Sequence, residues 1–127
     1  MKELIRALKA LSDETKLRML NLLAGQECCV CEVMQALDIS QSRASRNLGA
    51  LHNAGFLKLR KDGLWSIYSL DKEGIPAYSL DLAGVVIKAL SKNDVAALDK
   101  KRLEKALRTS PRRLSSATRL LEETAEA

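Results

Sequence analysis

The stretch Val33-Met34-Gln35-Ala36-Leu37-Asp38-Ile39-Ser40-Gln41-Ser42-Arg43-Ala44-Ser45-Arg46-Asn47-Leu48 decides the fold. On its upstream side Val30, Val33, Met34 and Leu37 recur at helical offsets, so Cys28 to Leu37 reads as a helix. Asp38-Ile39-Ser40 leaves room only for a tight turn. Downstream, Ala44, Leu48 and Leu51 are spaced by four and then three. They predict a second helix from Gln41 to about Asn53, closed by Ala54-Gly55.

The period then changes to two. Phe56 to Arg60 and Leu64 to Leu70 are strand-like, with Lys61-Asp62-Gly63 between them, and Asp-Gly between two such runs signals a hairpin. Two helices across a short turn, then a hairpin, spell a winged helix-turn-helix, mainly α with a small β-hairpin. Upstream, residues 3–11 carry Leu4, Leu8 and Leu11 on one stripe. Ser12-Asp13-Glu14 opens a further helix bearing Leu17, Leu20 and Leu23 and stopping at Gly25. Beyond the hairpin, Pro76 suits a first helical turn, and Leu80, Ala83, Gly84, Ile87 and Leu90 form an apolar stripe. Asn93 or Asp94 starts a last helix, with Val95, Leu98, Leu103 and Ala106 expected to face inward. From Ser110-Pro111-Arg112-Arg113 the pattern breaks. One domain is expected over residues 1–109, with 110–127 a mobile or partner-dependent tail.

The 127 residues suffice for one such domain with a real core, and 46% hydrophobic with 29% charged residues excludes collagen, mucin-like stalks and wholesale disorder. No apolar run approaches the roughly 20 residues of a membrane span, and the N-terminus lacks the apolar stretch of a signal peptide. A cytoplasmic, reducing setting is expected, in which Cys28, Cys29 and Cys31 are thiols. An odd number of cysteines within four residues is not a disulfide framework.

Net charge is +5, which favours a polyanion, and the few rings (Phe56, Trp65, Tyr68 and Tyr78) are too sparse for base-stacking on single strands. Duplex DNA is therefore the expected partner. The second helix of a helix-turn-helix enters the major groove N-terminus first. That places Gln41, Ser42, Arg43, Ser45 and Arg46 where they would meet base edges and phosphates. Lys58, Arg60 and Lys61 crowd the wing, where basic side chains add affinity and salt dependence. His52, the one histidine, is read as an incidental surface residue rather than a phosphate contact.

Thiolates prefer soft ions. A single cysteine usually behaves as a small buried apolar side chain, but three clustered before the helix-turn-helix point to ligation. In a regular helix Cys28 and Cys31 would lie about 60° apart and Cys29 and Cys31 about 160° apart. Either the cluster sits on a frayed helix start, or binding unwinds it and disturbs the reading helix. Three sulfurs with no nearby histidine suit trivalent arsenic or antimony better than structural zinc. Cadmium, lead, bismuth and a Cys28–Cys31 or Cys29–Cys31 redox pair are the rival readings, as is a thiol protein that sequesters metalloid without binding DNA. No catalytic constellation is present: after five intervening residues from each cysteine stand Met34, Gln35 and Leu37, not the Arg of a low-molecular-weight phosphatase loop. No enzyme and no permanent cofactor are expected.

Glu27-Cys28-Cys29-Val30-Cys31-Glu32-Val33 resembles the Glu-Leu-Cys-Val-Cys-Asp-Leu box of the ArsR/SmtB family of bacterial winged-helix repressors. Leu11 to Arg18 resembles the family's opening, Ile39 to Leu48 its reading helix, and Ala54 to Leu57 with Lys61 to Leu70 its exit and wing. The resemblance implies a homodimer, formed through the first and post-wing helices, on an inverted-repeat operator. It also implies release by a metalloid inducer, As(III) or Sb(III). The arsenic-responsive branch typically has a third Cys where this chain has Met34, and Leu where it has Cys28. Cys29 and Cys31 therefore carry over as ligands, Cys28 is the nominated third, and Met34 a weaker one. The Asp and His of the family's post-wing zinc site are not matched here, since residues 74–107 contain no His.

Overall fold

The computed structural model describes residues 1–114. In chain order they form α1 (Lys2–Ala10), α2 (Glu14–Gly25), β1 (Cys28–Cys29), α3 (Val30–Leu37), α4 (Gln41–Asn53), β2 (Leu57–Asp62), β3 (Trp65–Leu70), α5 (Ala77–Ala89) and α6 (Asp94–Arg108). Among these, no helix is long and apolar enough to cross a membrane. The expected winged helix-turn-helix is present: α3 and α4 meet across Asp38-Ile39-Ser40, and β2–β3 forms the wing.

Caps set the helix boundaries. The Asp13 carboxylate accepts from the Lys16 amide at 3.0 Å, the Ser40 hydroxyl from the Arg43 amide at 3.2 Å, and the Asn93 side chain from the Ala96 amide at 3.0 Å. Each satisfies an amide that lacks an intrahelical partner. Asp38 ends α3 in the left-handed region at φ 55°, which turns the chain sharply into α4. In the wing, Asp62 pairs with Trp65, so the strands run closer to the tip than expected and the loop is Gly63-Leu64 alone. Gly63 at φ 58° supplies the turn.

The core is one cluster in which Met19, Leu20 and Leu23 of α2 meet Val33 and Leu37 of α3, Leu48 and Leu51 of α4, and Phe56. α6 packs across α3 and α2. A bidentate bridge fixes it there: Arg18 Nε donates to Asp99 Oδ2 at 2.9 Å and Arg18 Nη2 to Oδ1 at 2.7 Å. Consequently Ala96, Asp99, Leu103 and Ala106 face inward, while Val95 and Leu98, expected to be buried, face solvent. On α5 the buried residues are Ser79, Ala83 and Val86; of the expected stripe Ala83 is buried and Ile87 and Leu90 are half-buried, while Leu80 and Gly84 are exposed.

Two local features depart from expectation. Cys28 and Cys29 form a short third strand instead of the first turn of a helix. They pair antiparallel with Tyr68 and Ile67, giving the sheet order β1-β3-β2. The chain also stays packed past the expected break at residue 110. Ser110 and Arg112 are buried, and residues 111–114 form a further helical turn. Residues 115–127, the rest of the expected tail, lie outside the described residues.

Candidate functional site

The cysteines straddle the junction of strand and helix. Cys29 is the N-cap of α3, with an extended backbone at φ −83° and ψ 168°. It takes part in a reciprocal capping box: its sulfur accepts from the Glu32 amide, while Glu32 Oε1 accepts from the Cys29 amide at 3.0 Å. A thiol thus occupies the position where a hydroxyl or carboxylate usually caps. Cys31, half a turn on, is partly exposed and its sulfur accepts from Gln35 Nε2 at 3.5 Å.

Cys28 and Cys29 are both buried on β1, 0% and 2% exposed, and the Cys28 thiol is directed to the Gln26 carbonyl at 3.5 Å. Burial, reinforced by the charge of Glu32, pushes this thiol up to about 12. Burial also raises Cys29, and the capping amide of Glu32 opposes that rise. All three cysteines are free. Among the described residues, no group of three or more Cys, His, Asp or Glu side chains is gathered closely enough to hold a metal ion. A three-sulfur site therefore requires rearrangement at β1.

A cavity of about 430 Å³ opens beside the box. Cys29, Cys31, Val30 and Met34 form one wall, and Gln41, Trp65, Leu64 and Ser66 complete it. The thiols thus face a space shared by the first residue of α4 and the tip of the wing. Cys28 is not among its lining residues.

Behind the box, Arg112 reaches in from beyond α6, its Nη2 donating to Glu32 Oε1 at 3.0 Å. Burial raises the Glu32 carboxyl, but Ser110, Arg112 and the Cys29 amide together hold it below its ordinary value. Among the described residues, the Ser110 hydroxyl, Glu32 Oε2 and Arg112 Nε have no hydrogen-bond partner. Sequence reasoning missed both Arg112 and β1. The Cys29-x-x-Glu32 spacing of a capping box was the readable sign that the helix begins after Cys29.

The residues expected to read DNA are placed unevenly. Gln41, Ser42, Arg43, Ser45 and Arg46 are all exposed on α4. The Arg43 guanidinium, however, turns back to donate to the Thr15 hydroxyl at 2.8 Å, and Arg46 Nε reaches the Ser42 carbonyl at 3.4 Å. On the wing, Arg60 is engaged with Glu27 at 2.8 Å and Lys61 with the Ser66 hydroxyl, while Lys58 is exposed. His52 packs edge-on against Tyr68, ring centroids 6.4 Å apart, and Tyr68 is the strand partner of Cys28.

Comparison with known proteins agrees with this architecture. Residues 13–64 match the model of the bacterial regulatory protein family arsR. The chain is 43% identical over 79 residues to an arsenic resistance transcriptional regulator, ArsR1, of Pseudomonas putida, covering 61% of this chain and 62% of that protein. It is 42% identical over 84 residues to ArsR2 of the same organism, covering 65% of this chain and 72% of that one. Among solved structures, a homodimeric winged helix-turn-helix DNA-binding domain from Mycobacterium bovis superposes with a TM-score of 0.61. It is 27% identical and covers 73% of this chain and 82% of that one.

Proposed function

The chain belongs to the arsR family of bacterial regulatory proteins, whose members here are DNA-binding regulators and not enzymes, and from that premise we propose that it is a metalloid-responsive repressor. It binds an inverted-repeat operator as a homodimer and is released when trivalent arsenic or antimony bonds to its thiols. The relatives named for arsenic resistance support this reading. The observation that carries it is the placement of Cys29 and Cys31 on a cavity whose other walls are Gln41 and the wing tip. A guest bonded there perturbs the two elements that hold duplex DNA.

Cys29 and Cys31 make the first bonds. Cys28 joins only if β1 leaves β3, because its sulfur is sealed in the core. Bonding at Cys29 also removes the sulfur that caps the Glu32 amide, loosening the start of α3. The ligand and the DNA then favour different conformations, and linkage makes them antagonists. The homodimer reading rests on the relatives' assembly and on apolar side chains that one chain leaves uncovered: Leu4, Ile5 and Leu8 on α1, Leu80 and Val85 on α5. Gln41, Ser42, Ser45 and Arg46 would enter the groove, Lys58 would meet phosphate, and Arg43, Arg60 and Lys61 would first exchange their internal partners for DNA.

The test is operator binding, with and without arsenite, in the native chain and in variants with Cys28, Cys29 and Cys31 each and all changed to Ser. Release should fail in the Cys29 and Cys31 variants. Undiminished release of the triple variant at the same arsenite concentration would refute the sensor assignment.

A further inference from the structure

We infer that the outward face of α6, formed by Lys101, Lys105 and Arg108, is a second DNA-binding surface that holds the sugar-phosphate backbone beside the groove entered by α4. This rests on the reading of the chain as a DNA-bound repressor and deepens it by assigning a contact outside the helix-turn-helix and the wing.

Three observations carry it. The first is where the charge sits. Residues 100–114 hold seven Lys or Arg and one Glu, a net +6, against +5 for the whole chain. The remaining residues therefore net −1. The excess positive charge that favours a polyanion comes from α6 and the turn after it, not from α4 and the wing.

The second is that these cations are available. Lys101, Lys105 and Arg108 are exposed and stand at i, i+4 and i+7 on one helix face. Among the described residues neither these side chains nor that of Arg102 makes an ion pair or a hydrogen bond. Arg43, Arg60 and Lys61, by contrast, are each engaged internally. Cations in the last turn complement the helix dipole, which accounts for Lys105 and Arg108 but not for Lys100, Lys101 and Arg102 upstream. Like charges one turn apart repel, and a row of phosphates relieves that repulsion. From Lys101 to Arg108 the row is about 10 Å long, a stretch over which duplex DNA carries about six phosphate charges.

The third is position. α6 packs across α3, the first helix of the helix-turn-helix. In that motif the first helix crosses the DNA backbone while the second lies in the groove. A cleft of about 450 Å³ runs between the two, lined by Gln35 and Asp38 of the α3 end and by Arg102 and Lys105 of α6. Asp38, the carboxylate in that lining, stands two residues before Ser40, the cap of α4. The basic face of α6 thus borders the turn that leads the chain into the groove.

The experiment measures binding of the full chain to a labelled duplex of arbitrary sequence by fluorescence anisotropy across a salt series. In one variant Lys101, Lys105 and Arg108 are each changed to Gln. In a control Lys72, Lys88 and Lys92 are, which removes the same charge from exposed positions outside α6. The α6 variant should lose about three units of salt slope, one per cation, and bind at least about tenfold more weakly at 0.1 M salt. The control should lose less than about one unit. Equal urea midpoints establish that the variants are folded. Lys105→Gln alone, expected to lose about one unit, carries the test if the triple variant is unstable. Equal losses in the α6 variant and the control would mean that only overall charge matters, and overturn the inference. So would an unchanged slope in the α6 variant while Lys58→Gln loses its unit, a result that leaves the repressor reading standing. Undiminished DNA binding by the α6 variant together with lost binding to phosphatidylglycerol vesicles would make the face a membrane contact and overturn it too. Failure of the native chain to bind duplex DNA would overturn both readings.

Discussion

Arg112 Nη2 lies 3.0 Å from Glu32 Oε1, closing a buried ion pair between residues 80 positions apart in the chain. Glu32 is the carboxylate that caps the Cys29 amide, so the segment beyond α6 is tied directly to the start of the thiol-bearing helix. Breaking a buried pair by removing one partner leaves the other charge uncompensated, at a cost of about 3–5 kcal/mol. Arg112→Met should therefore lower stability by about that amount, measured by urea unfolding. A change below about 0.5 kcal/mol would mean that the segment contributes nothing to the box. The pH dependence follows. Because the folded Glu32 carboxyl titrates below its unfolded value, its contribution is complete above the unfolded value of about 4.3 and is lost as pH falls through the folded one. Glu32→Gln should flatten that acid limb.

Arg18 and Asp99 make the second long-range pair, and Arg18 Nη2 also reaches the Leu37 carbonyl at 3.4 Å, at the end of α3. With Asp99 1% exposed, Asp99→Ala leaves a largely buried guanidinium without its carboxylate. A loss of about 3–5 kcal/mol in urea unfolding is expected. Unchanged stability would show that α6 is held by its apolar contacts alone.

The thiols should differ in reactivity. The thiolate is the nucleophile, and a Cys28 thiol pushed up to about 12 is almost wholly protonated at pH 8. Iodoacetamide at that pH, followed by peptide mass mapping, should label the partly exposed Cys31 well before Cys28. Labelling of Cys28 at an equal or greater rate would mean that β1 opens freely from the sheet.

On DNA, Lys58→Gln should weaken binding uniformly across sequences and reduce the salt slope by about one unit. Arg46→Ala should cost about 1–3 kcal/mol and relax preference at the base it meets. Fluorescence anisotropy across a salt series separates the two. An identical pattern for both variants would contradict the division between a reading helix and a backbone-contacting wing.

The helix-turn-helix was legible because local chemistry determines it: Ser40 caps α4, Asp38 turns the chain, and Ala44, Leu48 and Leu51 keep one face apolar. What the sequence concealed depends on distant partners. Cys28 and Cys29 continue a helical pattern in sequence, yet pairing with β3 draws them into strand. Val95 and Leu98 look like core residues, yet the Arg18–Asp99 bridge rotates α6 so that a carboxylate faces inward and they do not. Ser110 to Arg113 looks like the start of a tail because nothing nearby pairs with Arg112. The thiols themselves were apparent, but their unequal access to the cavity was not, since it follows from the sheet.

A guest on Cys29 and Cys31 and an operator on α4 and the wing should exclude one another. Reciprocity makes this measurable from the ligand's side. Arsenite affinity, read from Trp65 emission, should fall in the presence of saturating operator by the same factor by which saturating arsenite lowers operator affinity. Equal arsenite affinity with the operator bound and free would contradict the account.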